Sequence, residues 1–377
     1  MAELMPITPS VLTWARQRAG ISLDAATNDF KKIVAWESGD DAPSYPQLEK
    51  LADKFKVPVA VFFFPEPPDL PPIEESFRTL GPDQFEQIPT RIRLLLLKAR
   101  TLQMGLEELN HGRNPAPRLI TRDLSFQPHD DVGLIAAKLR DYLNVPLELQ
   151  CSWEDTDIAL ENWRRALINV GIYVFKDQFR QDSFSGFCLY DDEFPIIYVN
   201  NTTAKTRQIF TLFHELAHLL FHTSGVDTPD DNYIEGLSTH DRLIEIICNR
   251  LAARFLVPED AFEQAFADSA PTETTAAELA RLFSVSRESI FRKFLDRELI
   301  SKEEYESAAR HWAAQTNPGS GGNHYYTKMA YLGPEYITLA FQRYYQNQIN
   351  AEQLADYLDT KPRNLTRLEE YISRRGP

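Results

Sequence analysis

The chain has 377 residues, which is enough for two or three domains of ordinary size. Hydrophobic residues make up 43% and charged residues 25%, so the composition is that of a globular protein and excludes disordered, collagen-like and disulfide-stapled classes. The 40 Lys and Arg against 55 Asp and Glu give a formal net charge of -15, which argues against general affinity for nucleic acid or for membrane surfaces. Any contact with DNA must therefore come from a local basic face.

The cysteines and the first residues indicate a cytoplasmic protein. Cys151, Cys188 and Cys248 are odd in number and form no CxxC pair, which fits a reducing compartment. The opening MAELMPITPS has neither the basic nor the apolar region of a secretory signal. The strongest apolar run, residues 57–64, is too short to cross a bilayer, so we expect no membrane partner.

The first half of the chain is predicted to be helical. Apolar residues recur at helical spacing in residues 1–64, which predicts a small helical domain. The segment PEPPDLPP that follows holds five prolines in eight positions and favours a stiff extended connector. Residues 65–127 are therefore predicted to be a Pro-rich linker followed by a connecting helix from about residue 90 to 108.

The second half is predicted to be α+β and mainly helical. A helix is followed by β-branched and aromatic strands at 171–175, 186–190 and 195–200, and then by further helices, which indicates a domain with a small sheet at 128–316. The sequence NPGSGG at 317–322 reads as a flexible link to a C-terminal helical domain at 323–377.

One helix in that domain carries the spacing of a zinc site. In RQIFTLFHELAHLLF, His214 and His218 are four residues apart and so lie about 5–6 Å apart on one helix face. Glu215 lies about 100° further round the helix, where it can meet a metal-bound water instead of the metal. Zinc with three protein ligands lowers the pKa of such a water to about 7, and a neighbouring carboxylate can accept its proton and pass it to a leaving amine. This is the chemistry of peptide-bond hydrolysis.

Chance explains this pattern poorly. With 8 histidines in the chain, on the order of 0.01 matches to HExxH are expected at random. A short strand, PIIYVN, precedes the helix, and we expect its edge beside the metal to be a template for an extended peptide substrate.

A third ligand is expected from the segment EIICNRLAARFLVP. Glu245 lies one helical turn before Asn249 among apolar neighbours, where a lone carboxylate is costly without a cation, so Glu245 is the predicted ligand and Asn249 a group that orients the site. His240, in an acidic, turn-like stretch, is a weaker alternative. His222 continues the four-residue spacing but lies about 6 Å beyond His218 along the helix axis, so it is predicted to support the site or the fold and not to join the ligands.

The HELAH helix together with E-x-x-C-N-x-x-A-A-x-F-L-V-P resembles the ImmA/IrrE family of bacterial and phage metallopeptidases. The resemblance implies a zincin-like core of the gluzincin type, with His214, His218 and Glu245 as zinc ligands, Glu215 as general base and Asn249 behind the ligands. It also implies a protein substrate that is typically a DNA-bound repressor. The chain departs from the family at Ala217, where many members have glycine, and at Cys248, where alanine is usual.

Residues 1–64 also resemble the Xre/Cro type of helix-turn-helix domain, through WESG and LEKLADKFKVP. Only 14 positions separate Ser22 from Trp36, which predicts that the turn between the two central helices is shortened or lost. The segment holds seven Lys and Arg against eight acids, a poor footprint for DNA. A structural or dimerising module is the alternative reading.

A second helix-turn-helix-like subdomain is predicted at 276–314. The segments AAELARLF and RESIFRKFLDR flank the turn Ser284-Val285-Ser286, and the region is locally basic in an acidic chain. The possible DNA contacts are its cations Arg287, Arg292, Lys293 and Arg297. Packing within the peptidase domain is the competing role.

The sequence thus predicts a zinc-dependent endopeptidase and regulator that cleaves a repressor-like protein. The alternative is a DNA-binding regulator or antitoxin, with a cognate toxin as partner, in which the peptidase fold is an interaction module with weak or no proteolysis. An intact HExxH motif and Glu245 favour the enzyme. The sequence indicates no oligomeric state.

Overall fold

A computed structural model describes residues 4–57, 59–68, 88–181, 183–222, 226–227, 239–267, 269–313 and 324–373. The chain divides into two compact units, Met1–Leu102 and Gln103–Pro377. Most of the predicted Pro-rich linker and all of the predicted link at 317–322 lie outside the described residues. None of the described helices is both long and apolar enough to cross a membrane.

The first unit is helical, as predicted. Its helices are α1 (Pro9–Arg18), α2 (Leu23–Asp29), α3 (Ile33–Ser38), α4 (Tyr45–Phe55), a 3₁₀ turn (Val59–Phe63) and the first part of α5 (Thr90–Leu109).

The stretch between Ser22 and Trp36 has a shortened connection, residues 30–32, which is one of the two outcomes that its length predicted. It contains α2, of seven residues, and the start of α3, of six, so both helices form and a short connection joins them. The Ser22 hydroxyl caps α2 by accepting from the Ala25 N–H at 3.2 Å. Gly39, at φ 81, ends α3 in the left-handed region. Good caps allow helices this short.

Several Lys and Arg side chains of the first unit form ion pairs with acidic side chains. Arg16 donates to Glu37 through Nε at 2.6 Å and Nη2 at 2.9 Å, with both side chains about a tenth exposed. Three lysines pair with acids nearer the surface: Lys32 with Asp41, Lys54 with Asp29 and Lys56 with Asp53. DNA binding by this unit stays a prediction.

The second unit is α+β, as predicted. Besides the last turns of α5 its helices are α6 (Ile120–Asp123), α7 (Val132–Leu143), α8 (Leu147–Cys151), α9 (Thr156–Ile168), α10 (Lys205–Leu220), α11 (Thr239–Leu256), α12 (Glu259–Phe266), α13 (Glu273–Phe283), α14 (Arg287–Asp296), α15 (Lys302–Ala313), α16 (His324–Leu332), α17 (Pro334–Tyr345), α18 (Ala351–Tyr357) and α19 (Leu365–Ser373), with a 3₁₀ turn at Pro362–Asn364.

Its sheet has the order β1-β3-β2-β4 among the described residues. The strands are β1 (Tyr173–Asp177), β2 (Gly186–Leu189), β3 (Ile196–Asn200) and the two-residue β4 (Val226–Asp227). Strand β3 pairs with β1 in parallel and with β2 in antiparallel register.

This order corrects the expected role of PIIYVN. That segment is β3, which has a partner on both sides and so offers no free edge to a peptide. Every residue of β3 is buried, and a continuous apolar run is the pattern of a central strand, not of an edge. Among the described strands, β1 and β4 lie at the two edges of the sheet.

The core of the second unit lies between the sheet, α10 and the helices around it. Trp163 of α9 packs edge-to-face on Phe213 of α10 at 4.7 Å between ring centroids, and Phe213 contacts Phe255 of α11 at 4.3 Å. The predicted C-terminal domain belongs to this same compact unit. Its Tyr336 packs edge-to-face on Phe175 of β1 at 5.3 Å.

Candidate metal centre

The centre is built on α10, the most deeply buried helix of the second unit. Of its 16 residues, Gln208, Ile209 and all those from Thr211 to Leu220 are buried. His214 and His218 are 1% and 0% exposed, although imidazoles and carboxylates are costly to bury unless something binds them. Two buried histidines one turn apart therefore call for a shared partner.

Glu245 of α11 completes a group of three buried side chains that could bind one metal ion. His214 Nε2 lies 3.1 Å from His218 Nε2, and the Glu245 oxygens lie 3.3 Å from His214 Nε2 and 3.2 Å from His218 Nε2. Bonds of about 2.0–2.1 Å to a tetrahedral ion would separate ligand atoms by about 3.3 Å. The three distances therefore fit one metal ion of the size of zinc, and this is the one group of His, Cys and acidic residues in the described part of the chain with such geometry.

The charge of Glu245 fits the same role. Burial alone would raise the pKa of its carboxyl, but the imidazoles of His218 and His214 outweigh burial and hold the pKa well below its ordinary value. An ionised carboxylate is the form that binds a metal ion.

Asn249, predicted to orient the site, contacts His214 on the side away from Glu245. His214 Nδ1 lies 3.0 Å from Asn249 Oδ1, and because an amide oxygen only accepts, this nitrogen carries the proton. The other ring nitrogen, Nε2, which faces His218 and Glu245, then carries the lone pair that can bind a metal. Asn249 thus selects the tautomer that ligation requires.

Glu215 lies fully buried beside the backbone of β2. A Cβ built on Gly186 would lie 3.8 Å from Glu215 Oε1, 2.4 Å from Thr211 Cγ2 and 2.9 Å from the Tyr198 carbonyl oxygen. The strand and the helix can approach this closely only because residue 186 has no side chain. The sequence argument missed this glycine, although an isolated Gly in a predicted strand is itself a signal of close backbone approach.

His222 lies outside the ligand group. It follows the end of α10, is exposed, and stacks on Tyr190 with ring centroids 5.0 Å apart. Its Nδ1 is 3.3 Å from the Tyr190 hydroxyl. The side chain of His240 lies outside the described residues, and that alternative stays untested.

The four predicted DNA-contacting cations are engaged within the domain. Lys293 and Arg297 both pair with Glu259 at the start of α12, Lys293 at 3.0 Å. Arg287 lies over the Trp312 ring at 5.0 Å, and Arg292 pairs with Asp296 at 2.9 Å. Helices α13 and α14 form where the sequence predicted them, and DNA contact by these cations stays a prediction.

The chain is similar to a family of known peptidases over this region. Residues 169–294 match the family model of the IrrE N-terminal-like domain, Peptidase_M78. The matched range spans the sheet, α10 and α11, so it includes all three ligands and Glu215.

Two curated relatives are similar over part of the chain. The radiation response metalloprotease IrrE of Deinococcus deserti is 36% identical over 106 residues, and that of Deinococcus radiodurans is 35% identical over 102. Each match covers 26% of this chain, and the matches cover 36% and 30% of the two relatives, so the chain spans about a third of their length.

A solved structure of a Mycobacterium tuberculosis transcriptional regulator is 18% identical, with a TM-score of 0.26 over 44% of this chain and 50% of that one. That similarity is too low to carry an argument.

The buried ligand group and these matches define a metallopeptidase domain. Over residues 169–294 the chain is similar to the ImmA/IrrE family of metallopeptidases.

Proposed function

We propose that the chain is a zinc-dependent endopeptidase that cleaves a protein substrate of the transcriptional-repressor kind. The observation that carries the proposal is the set of three buried ligand atoms on α10 and α11, with an ionisable carboxyl, Glu215, one residue from a ligand. Zinc bound there would act as a Lewis acid on the scissile carbonyl and on the attacking water.

The residues of the chain supply the rest of the chemistry. Glu215 accepts a proton from the attacking water and returns it to the amine that leaves when the peptide bond breaks. Burial of Glu215 excludes bulk water, so proton transfer is confined to the reacting groups. Asn249 keeps His214 in the tautomer that ligates, and the contact of Gly186 with α10 fixes the distance between the sheet and Glu215.

The repressor-like substrate rests on the family resemblance. Within that reading the protein is a cytoplasmic regulator whose first unit, the Xre-like segment, brings the peptidase to its target. A substrate that adds a strand to the sheet would pair at an edge, beside β1 or beside β4, since β3 has partners on both sides.

The test is a comparison of the wild-type chain with Glu215→Gln, both loaded with one equivalent of zinc. Each is incubated with lysate proteins of the source cells, and new N-termini are counted by mass spectrometry. We expect new N-termini with the wild type and none above background with Glu215→Gln, because glutamine keeps the shape of the side chain and cannot accept the proton. Glu278→Gln, a change on exposed α13, is the matched control and should cleave like the wild type.

Equal cleavage by the wild type and Glu215→Gln would show that the activity lies elsewhere. A wild-type protein that produces no new N-termini would instead favour the alternative, a regulator or antitoxin in which the peptidase fold is an interaction module.

A further inference from the structure

A polar cavity of about 230 Å³ lies in the second unit, in the loop before α6 and beside Glu193. Three arginines line it, Arg113, Arg118 and Arg122, against two acids, Asp123 and Glu193. The cavity lining thus has three positive and two negative side chains, whereas the whole chain has a formal net charge of -15.

Both acids already accept hydrogen bonds. Glu193 pairs with Arg122 and accepts from the Asn114 backbone N–H at 3.0 Å, and this N–H, followed by Arg122, lowers the pKa of the Glu193 carboxyl. Asp123 accepts from the Tyr142 hydroxyl. Each guanidinium group has five N–H donors. Hydrogen bonds to these two carboxylates therefore occupy only some of the donors of the three arginines.

Arg118 is held in place by Tyr142, and the other N–H groups of its guanidinium could donate to a ligand. Its guanidinium lies over the Tyr142 ring at 4.3 Å, and Nη2 donates to the Tyr142 carbonyl oxygen at 2.9 Å. Arg113 is exposed, and its charge contributes, less than that of Arg122, to the lowered pKa of Glu193. Two guanidinium groups are thus available on one cavity wall.

The loop that carries these arginines is fixed by Asn114, which is 6% exposed. Its Nδ2 donates to the Gly171 carbonyl at 2.9 Å and to the Glu193 carbonyl at 2.6 Å, and its Oδ1 accepts from the Ala116 N–H at 3.0 Å. Gly171 has φ +91, and a Cβ there would lie 2.5 Å from Leu119 Cδ2. The wall is therefore built before any ligand arrives, which lowers the entropic cost of binding.

We propose that this cavity binds an oxyanion, a carboxylate or a phosphate group, through Arg113 and Arg118 with Arg122 beside them. The planar fork of an arginine matches two oxygens of either group.

Helix α6 packs against α10, and the Phe126 N–H donates to the Leu220 carbonyl at 3.4 Å, so the cavity lies near the C-terminal end of the helix that carries the metal ligands. The oxyanion has two possible sources, a free phosphate-bearing molecule or an acidic side chain of a protein partner. The proposal does not depend on peptidase activity.

The experiment is isothermal titration calorimetry on the full, metal-loaded chain at constant ionic strength. The probes are inorganic phosphate and an N-acetylated pentaglutamate peptide. We expect saturable binding of at least one probe by the wild type, and binding about tenfold weaker or more by Arg113→Gln plus Arg118→Gln, because two charge-assisted hydrogen-bonding groups are lost.

The control removes the same charge from exposed α15. Lys302→Gln plus Arg310→Gln, whose side chains are 81% and 73% exposed, should bind like the wild type. Phosphate bound at the metal would be the same in all three proteins, so the difference between variants reports the cavity. Arg118→Lys is a milder variant, because it keeps the positive charge beside Tyr142 and loses the planar guanidinium group. It should also bind the probes more weakly than the wild type.

Binding of phosphate alone identifies a free anion as the ligand, and binding of the peptide alone identifies an acidic protein segment. The proposal is overturned if neither probe saturates, or if the cavity and control variants weaken binding equally.

Discussion

At the scale of single residues, the two ring nitrogens of His214 have separate tasks. Nδ1 faces Asn249 at 3.0 Å, and Nε2 faces Glu245 and His218. A ligand histidine that loses the acceptor behind it can rotate and change tautomer, so its affinity for metal falls.

Asn249→Ala is therefore expected to weaken zinc binding by about 10–100-fold without unfolding the chain. Competition with a chromogenic chelator measures the affinity. Asn249→Asp keeps an oxygen acceptor at the same place and should bind zinc more tightly than Asn249→Ala. Wild-type affinity in Asn249→Ala would show that the Asn249 contact has no part in holding the ligand.

Gly186 is a point of close approach between strand β2 and helix α10. Gly186→Ala places a methyl group 2.4 Å from Thr211 Cγ2 and 2.9 Å from a backbone carbonyl, so strand and helix must move apart. We expect a loss of about 1–3 kcal/mol in the free energy of unfolding, measured by urea denaturation. Adding Thr211→Ser removes the nearer of these atoms and should recover part of the loss. An unchanged denaturation midpoint in Gly186→Ala would contradict the close approach.

At the scale of helices and strands, a buried ionic cluster joins β1 to α9. Lys176 is 2% exposed, and its Nζ lies 3.1 Å from Glu161 Oε1, which Arg164 also contacts. Arg164 donates to the Val174 carbonyl at 2.9 Å and to the Ala330 carbonyl of α16 at 3.2 Å. Burial and the neighbouring Arg164 lower the pKa of Lys176 to about 7, against the attraction of Glu161.

The cluster predicts how stability changes with pH. Lys176 has a folded pKa of about 7 and an ordinary value of 10.5, so between these pH values the unfolded chain binds a proton that the folded chain has lost. The contribution of Lys176 to stability therefore rises with pH across that window. Lys176→Met should remove this rise in stability with pH. At pH 6 the variant should unfold at the same urea concentration as the wild type or at a higher one. The reason is that Glu161 still pairs with Arg164 and that half of the Glu161 side chain is exposed. Parallel stability profiles of the two proteins from pH 6 to 9.5 would contradict the shift.

The pattern of apolar residues predicted well where helices and strands form. It predicted less well which helices and strands lie next to one another in the fold. The three strands and the paired helices α13 and α14 are close to where the sequence placed them, because period and turn residues are local signals. The central place of β3 depends on pairing with both β1 and β2, which is a long-range property. The same holds for the cations of α14, since a charge count cannot show that Lys293 and Arg297 meet Glu259.

At the scale of the molecule, the grouping of His214, His218 and Glu245 could be predicted because the chemistry of a metal site is restrictive. A buried pair of histidines in HExxH needs a third ligand, and Glu245 was the acid set among apolar neighbours. The position of the C-terminal helices could not be predicted in this way. Tyr336 and the Ala330 carbonyl meet β1 and α9 across more than 150 residues of sequence, and no local pattern reports such contacts.

The proposed zinc site joins α10 to α11 through His214, His218 and Glu245. Elemental analysis of the purified chain tests it most directly, with the wild type, Glu245→Ala and Glu215→Gln measured side by side after dialysis. We predict about one zinc per chain in the wild type and in Glu215→Gln, and little zinc in Glu245→Ala, since only that variant removes a ligand. Full zinc occupancy in Glu245→Ala would contradict the account.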